Sequence, residues 1–278
     1  MSFRCSSRWT ALGGFLLAGV LTMHAQGAQG GSGLRDAKEI VKAAVKAEIE
    51  ADKNDHARWR YKDERKDDPD KVSIVVQTAQ GSVERLISKG GRPLSEAEAR
   101  IEDERVKEFI HDKEKLAKQR RDGQQDGKNA AELTNMLPEA FIWTVQSEDA
   151  EKYTLHFRPN PEFRPPDMQS RVLGEMIGEM VVDKAQYRIM TLSGKLVEDV
   201  TIGWGLLGRL REGGTFRVER RPVAPGYWQI TETHVHIEGK VLFFKNIGQQ
   251  QDEVLTEFTP VPDGTTLEQA VEMSKSLK

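Results

Sequence analysis

His234-Val235-His236 is the motif whose residue types and spacing come closest to a chemical site in this chain. Side chains alternate along a strand, so both imidazoles project from one face, about 7 Å apart. Two such imidazoles make half of a metal site, and His156 on another strand is the candidate third ligand. The same segment also reads as an outward polar face. Glu232, His234, His236 and Glu238 alternate with Thr233, Val235 and Ile237, which would then point to a core. That reading needs no ion, so no metal and no cofactor are assigned. The acidic clusters Asp67-Asp68 and Glu102-Asp103-Glu104 fall in a loop and on a charged helix, where carboxylates are solvated. Gly-x-Ser-x-Gly is absent, and no Ser-x-x-Lys set has its partners. Gly203-Trp204-Gly205 lacks the Gly-Lys-Ser/Thr ending and following helix of a phosphate loop. The chain is therefore expected to be no enzyme.

Ile202 to Gly208 runs seven residues without a charge, between a strand and Arg209-Leu210-Arg211. One reading is a buried connection between strands. The other is an apolar loop in which Trp204, Leu206 and Leu207 touch acyl chains or a membrane surface. Arg209 and Arg211 would then lie near lipid headgroups.

Composition narrows the classes. A mean hydropathy of -0.59 excludes a polytopic membrane protein. A net charge of -3 argues against a general nucleic-acid binder, which needs excess Lys and Arg. Residues 1–25 read as a secretory signal peptide. Arg4 and Arg8 precede the uncharged stretch Trp9–Thr22, and Met23-His24-Ala25 offers a cleavage site. Cys5, the single cysteine, would leave with it, and the exported chain would carry a charge of -5 in a bacterial periplasm.

The elements that must position any site follow from periodicity. Residues 26–33 form a Gly/Ser/Gln linker, and 34–278 are expected to be one β-rich domain. Leu34 to about Asp52 is helical, with Ile40, Val41, Ala44, Val45, Ala47 and Ile49 recurring at helical spacing. Ala57–Arg65, Val72–Thr78 and Val83–Ser88 read as a strand meander. A charged helical insertion at about 95–137 begins with a Ser95/Glu98 capping box. It holds 19 charges in residues 95–128, is interrupted at Gly123 and Gly127, and stops at Pro138. From Phe141 to Phe258 short strands recur between Gly and Pro turns, with a short helix at Met168–Met176. A second box, Thr265/Glu268, opens a C-terminal helix. The expected fold is mainly β (α+β), a curved antiparallel sheet forming an open or half barrel with helices before, within and after it.

Val72–Ile87, a strand pair through Gly81 ending Glu84-Arg85-Leu86-Ile87, and Met180-Val181-Val182-Asp183-Lys184-Ala185-Gln186-Tyr187-Arg188 carry a resemblance. Together with the element layout, they resemble the periplasmic lipoprotein-carrier superfamily (LolA/LolB-like). The resemblance implies an open β-barrel with a helical lid around an apolar cavity, and it transfers no individual ligand-contacting residue.

The expected function is non-enzymatic binding of a lipid or lipoprotein acyl chain. The lining would come from Trp143, Tyr153, Leu155, Phe157, Val181 and Phe243, with transient membrane-surface contact through the 203–208 loop. The alternative is an envelope scaffold protein with a filled barrel, whose charged helical arm meets a protein partner.

Overall fold

The structure is a computed structural model that describes residues 36–66, 69–202, 208–241 and 249–275. Residues 1–35 lie outside it, with the expected signal peptide and linker. The first helix is α1 (Ala37–Asn54), whose N-cap Asp36 accepts the Lys38 N–H. The chain then runs through β1 (Trp59–Arg65), β2 (Lys71–Gln77), β3 (Ser82–Lys89) and β4 (Arg92–Pro93). Next come α2 (Glu96–His111), α3 (Lys113–Ala140), β5 (Phe141–Glu148), β6 (Lys152–Pro159) and α4 (Met168–Gly174). β7 (Met176–Asp183), β8 (Ile189–Leu196), β9 (Val200–Ile202), β10 (Gly208–Leu210) and β11 (Thr215–Ala224) follow. β12 (Tyr227–Ile237), β13 (Gly239–Val241), β14 (Gln249–Pro260) and α5 (Leu267–Lys275) complete the described chain.

Among the described residues the protein is mainly β, with eleven strands in one antiparallel sheet ordered β4-β3-β2-β1-β14-β12-β11-β8-β7-β6-β5. β9, β10 and β13 form a separate three-stranded sheet. Neighbours in the large sheet follow one another among its own strands except where β1 pairs with β14, and the small-sheet strands β9, β10 and β13 fall between β8 and β11 and between β12 and β14. The terminal strands β4 and β5 are joined through α2 and α3 and do not pair, so the sheet is not closed into a barrel.

The helical insertion lies along the β3 edge. Ser82 donates its N–H to Gln119 Oε1 (2.9 Å) and accepts from Gln119 Nε2 (3.0 Å). Arg105 donates to the Glu84 carbonyl (2.6 Å), and Glu102 accepts the Leu86 N–H (2.7 Å). Ser82, Glu84 and Leu86 are alternate residues whose backbone groups face the same edge. Side chains of α2 and α3 thus stand where a further strand would, which blunts an edge otherwise open to pairing. Val106, Ile110 and Leu116 of these helices pack with Ile74, Val76 and Val83 and with Leu267, Ala270 and Val271 of α5.

Three local expectations are corrected. α3 runs 28 residues straight through Gly123 and Gly127, and Gly123 is buried. Pro138 falls within the last turn and does not stop the helix. It cannot donate to the Thr134 carbonyl, and its buried ring is accommodated there. The C-terminal box is Thr266 with Gln269, one residue later than expected, because Thr265 Oγ1 is engaged with the Pro262 carbonyl. The Ser95/Glu98 box forms as expected and is extended by Arg92, which donates to both Glu98 carboxylate oxygens.

Candidate functional site

Directly paired residues of antiparallel strands point to the same side of a sheet. The register Trp143–Phe157–Gly178–Gly194–Phe216 therefore defines one face, with Leu155, Met180, Leu192 and Val218 beside it. α1 lies on this face, and its Ile40, Val41, Ala44 and Val45 join Trp143, Tyr153, Leu155, Phe157 and Met180 in a single buried cluster. Three rings pack tightly within it: Phe141–Phe157 at 4.4 Å, Trp143–Phe157 at 5.2 Å and Phe141–Trp143 at 5.7 Å between centroids. Trp143 Nε1 donates to the Leu137 carbonyl at 2.9 Å, so this large aromatic is satisfied in the core. Phe157 lies over the cross-strand pair Gly178–Gly194. A Cβ on Gly178 would sit 2.0 Å from the Ser193 carbonyl oxygen and 2.8 Å from Phe157 Cζ.

Four of the expected lining residues are thus brought together, in contact with α1. Val181 is not among them. It pairs with Thr154 and Thr191 on the opposite face, while Met180 and Val182 point to α1. Phe243 lies outside the described residues.

One buried charge links α1 to the sheet. Glu48 occupies the helix stripe one turn beyond Ala44, and its side chain is 4% exposed. It accepts from Arg188 Nε and Nη2 (both 3.0 Å), from the Ile189 N–H (2.8 Å) and from Arg220 of β11. Burial pushes the Glu48 carboxyl up. Arg220, Arg188 and the Ile189 N–H outweigh that and hold it below the usual carboxylate range. Arg188 in turn lies over the Trp228 ring at 5.7 Å.

The same sheet face changes character across β14, β1 and β3. Asp63 pairs in register with Leu255 and Ser73, and Glu253 and Glu84 share its side. Arg65 bridges Asp63 and Glu253, the latter at 3.0 Å. Two carboxylates meet one guanidinium with the Glu84 charge nearby, and the Asp63 side chain is 2% exposed. Burial, reinforced by Glu253 and Glu84 and only partly opposed by Arg65, pushes the Asp63 carboxyl up to about 7.

No family model, curated protein or solved structure matches this chain.

The segments that carry the sequence resemblance are hairpins in the structure. Val72–Ile87 spans β2 and β3. Met180–Arg188 is the end of β7 and its turn. There Asp183 Oδ2 accepts the Gln186 N–H at 2.6 Å, Tyr187 adopts φ 55°, and Arg188 emerges aimed at Glu48. Tyr187 sits in the left-handed region immediately before Arg188, where a non-glycine residue is uncommon.

His234 and His236 lie on the face opposite α1, where Asp252 sits between them, 2.7 Å from His234 Nδ1 and 2.9 Å from His236 Nε2. Glu232 is 3.4 Å from His234 Nε2. The Asp252 hydrogen bond, with Glu232 beside it, raises the His234 pKa and favours an imidazolium over a ligand lone pair. His156 is on β6, four strands away in the sheet, or about 19 Å at the usual strand spacing. Among the described residues no group of three or more His, Asp or Glu is placed to hold a metal ion. Trp204, Leu206 and Leu207 lie outside the described residues. Arg209 pairs with Asp199, and Arg211 lies 3.6 Å from Glu238. Among the described residues no helix is long and apolar enough to cross a membrane.

Sequence reasoning missed Glu48, Arg188, Arg220, Asp63 and Glu253. A signal was present for Glu48, which interrupts the apolar stripe between Val45 and Ile49. A charge placed there is either misplaced or paired.

Proposed function

We propose that this is an exported, non-enzymatic carrier that accepts a lipid or lipoprotein acyl chain between α1 and the apolar half of the sheet. In this reading the sheet curves into an open barrel, α1 is its lid, and Trp143, Tyr153, Leu155 and Phe157 meet the chain. The observation that carries it is a large apolar sheet face covered by α1, with the end of α3 (Leu137, Ala140) and α4 (Val172, Leu173) closing its margin. Glu48 is the buried charge holding α1, fastened to Arg188 and Arg220. An acyl chain gains roughly 0.8 kcal/mol per methylene on burial, and each apolar side chain of α1 gains about 1.5–3 kcal/mol. A chain of a dozen or more methylenes is therefore energetically comparable to the helix stripe it would displace. The experiment is native mass spectrometry of protein purified from a bacterial periplasm, combined with uptake of a fluorescent fatty acid. Co-purified lipid and saturable uptake support the carrier. Absence of both co-purified lipid and uptake overturns it.

A second reading, an envelope scaffold with a filled interior, draws on the close ring packing of Phe141, Trp143 and Phe157 above Gly178 and Gly194. On that reading Glu48→Gln lowers stability without producing uptake, whereas for a carrier it loosens the lid and raises uptake.

A further inference from the structure

The outer side of α1 carries a feature that neither the ring cluster nor the Glu48 anchor uses. Between α1 and the C-terminal part of α3 runs an open groove of about 360 Å³. Its floor is apolar: Val45 and Pro138 are buried and Ile49 is half-buried. Val45 also belongs to the core cluster, so this floor is continuous with the core under α1. The rim is cationic, with Lys42, Lys46 and Lys53 against one lining carboxylate, Glu50. Residues 42, 46 and 53 recur at helical spacing and line about 16 Å of one helix side. Glu39 holds Lys42 at 2.8 Å, and Glu50 lies 3.8 Å from Lys46. Lys53 meets no carboxylate within 4.0 Å among the described residues. Counting Glu39 and Glu50 against the three lysines leaves one positive charge at the groove, centred on Lys53, on a chain whose net charge is -3.

We infer that this groove binds a long-chain fatty carboxylate, with its methylenes on Val45, Ile49 and Pro138 and its head among Lys42, Lys46 and Lys53. Two properties select that occupant. An apolar floor beside a cationic rim complements an anionic amphiphile, and three lysines on flexible stems act as point charges able to follow a small head. The volume is near the lower end of ligand sites, which suits one acyl chain and not a multiply acylated lipid. The inference deepens the carrier reading by naming the charge of the ligand, but it concerns the outer side of α1 and can fail separately.

The test compares a dansyl-tagged undecanoic acid with its uncharged methyl ester, by fluorescence titration of the full chain. The wild type is expected to bind the acid at least tenfold more tightly than the ester, with the preference shrinking as salt is raised. Replacing Lys42, Lys46 and Lys53 together by Gln changes exposed side chains only and should bring the two probes within about twofold. A triple variant that keeps the wild-type preference overturns the groove, as does a wild type that binds acid and ester equally. Glu48→Gln separates the two readings. If it raises uptake of both probes while the lysine variant behaves as wild type, the interior carrier stands and the groove falls. If it leaves uptake unchanged while the lysine variant loses the acid preference, the groove stands and the interior reading falls. A wild type that binds neither probe overturns both.

Discussion

Replacing Asp63 by Asn should abolish one titration of the folded protein and change the sign of the mutational effect across pH. The Asp63 carboxyl moves from an ordinary 3.8 to about 7 on folding, because it is buried on β1 beside Glu253 and Glu84 with only Arg65 opposing them. The folded state therefore holds a proton between about pH 4 and 7 that the unfolded chain has released. With the folded pKa above the unfolded one, this stabilising contribution is fully present below pH 3.8. It declines by up to roughly 1.4 kcal/mol per pH unit and is gone above pH 7. The shift of about three units corresponds to roughly 4 kcal/mol in all. The replacement amide keeps the shape and offers Arg65 an oxygen, but cannot ionise. Near pH 5 the variant should match the wild type or be about 1 kcal/mol less stable, and at pH 8 it should be the more stable by about 1–3 kcal/mol. Urea unfolding of both proteins at half-unit pH steps measures this. Taking the difference cancels every group not coupled to Asp63, leaving Asp63 with its neighbours Glu253, Glu84 and Arg65. A difference that is flat from pH 5 to 8, or that grows more unfavourable to the variant as pH rises, would refute the assignment of a protonated Asp63.

Three further outcomes follow from named contacts. Glu48→Ala leaves the Arg188 and Arg220 guanidinium groups without their shared carboxylate and should cost about 3–5 kcal/mol in chemical denaturation. The Glu48 carboxyl lies below its ordinary value, so its own contribution is present above pH 4.5 and fades as pH falls through the folded value. Gly178→Ala should destabilise by about 3 kcal/mol or more, because its Cβ would meet the Ser193 backbone oxygen and no side-chain rotation relieves that. A thermal melt within about 2 °C of wild type would contradict the register. Gln119→Ala with Glu102→Ala should uncover the β3 edge, lower stability by about 1 kcal/mol for each lost contact, and increase association in light scattering.

α1 was legible in the sequence because Ile40, Val41, Ala44 and Val45 recur on one helical stripe, and the strands because β-branched runs end at Gly and Pro. Strand order was not legible. The pairing of β1 with β14 joins residues no closer than Arg65 and Glu253, 188 positions along the chain, and no local pattern encodes a partner that distant. Met180-Val181-Val182 is apolar at every position, so alternation could not tell which face Val181 takes; only its pairing with Thr154 and Thr191 does. The glycines at 123 and 127 read as breaks because helix propensity is local, whereas the α3 backbone continues through both, with Gly123 buried. The residues Arg105, Gln119 and Glu102 looked like solvated charge and amide. Their role appears only when the β3 backbone lies beside them.

The β1–β14 ladder also sets an order of events. Its two strands are the first and the last of the sheet in sequence, yet they meet at its middle. A chain emerging from its N-terminus can form the β1–β4 meander early, but one side of β1 then waits without its ladder partner until residues 249–260 arrive. Closing so long a loop is slow and leaves a strand edge open to wrong partners meanwhile. The large sheet is completed only once residues 249–260 are made, so a chain cut short before β14 should form two separate part-sheets and not a smaller version of the fold.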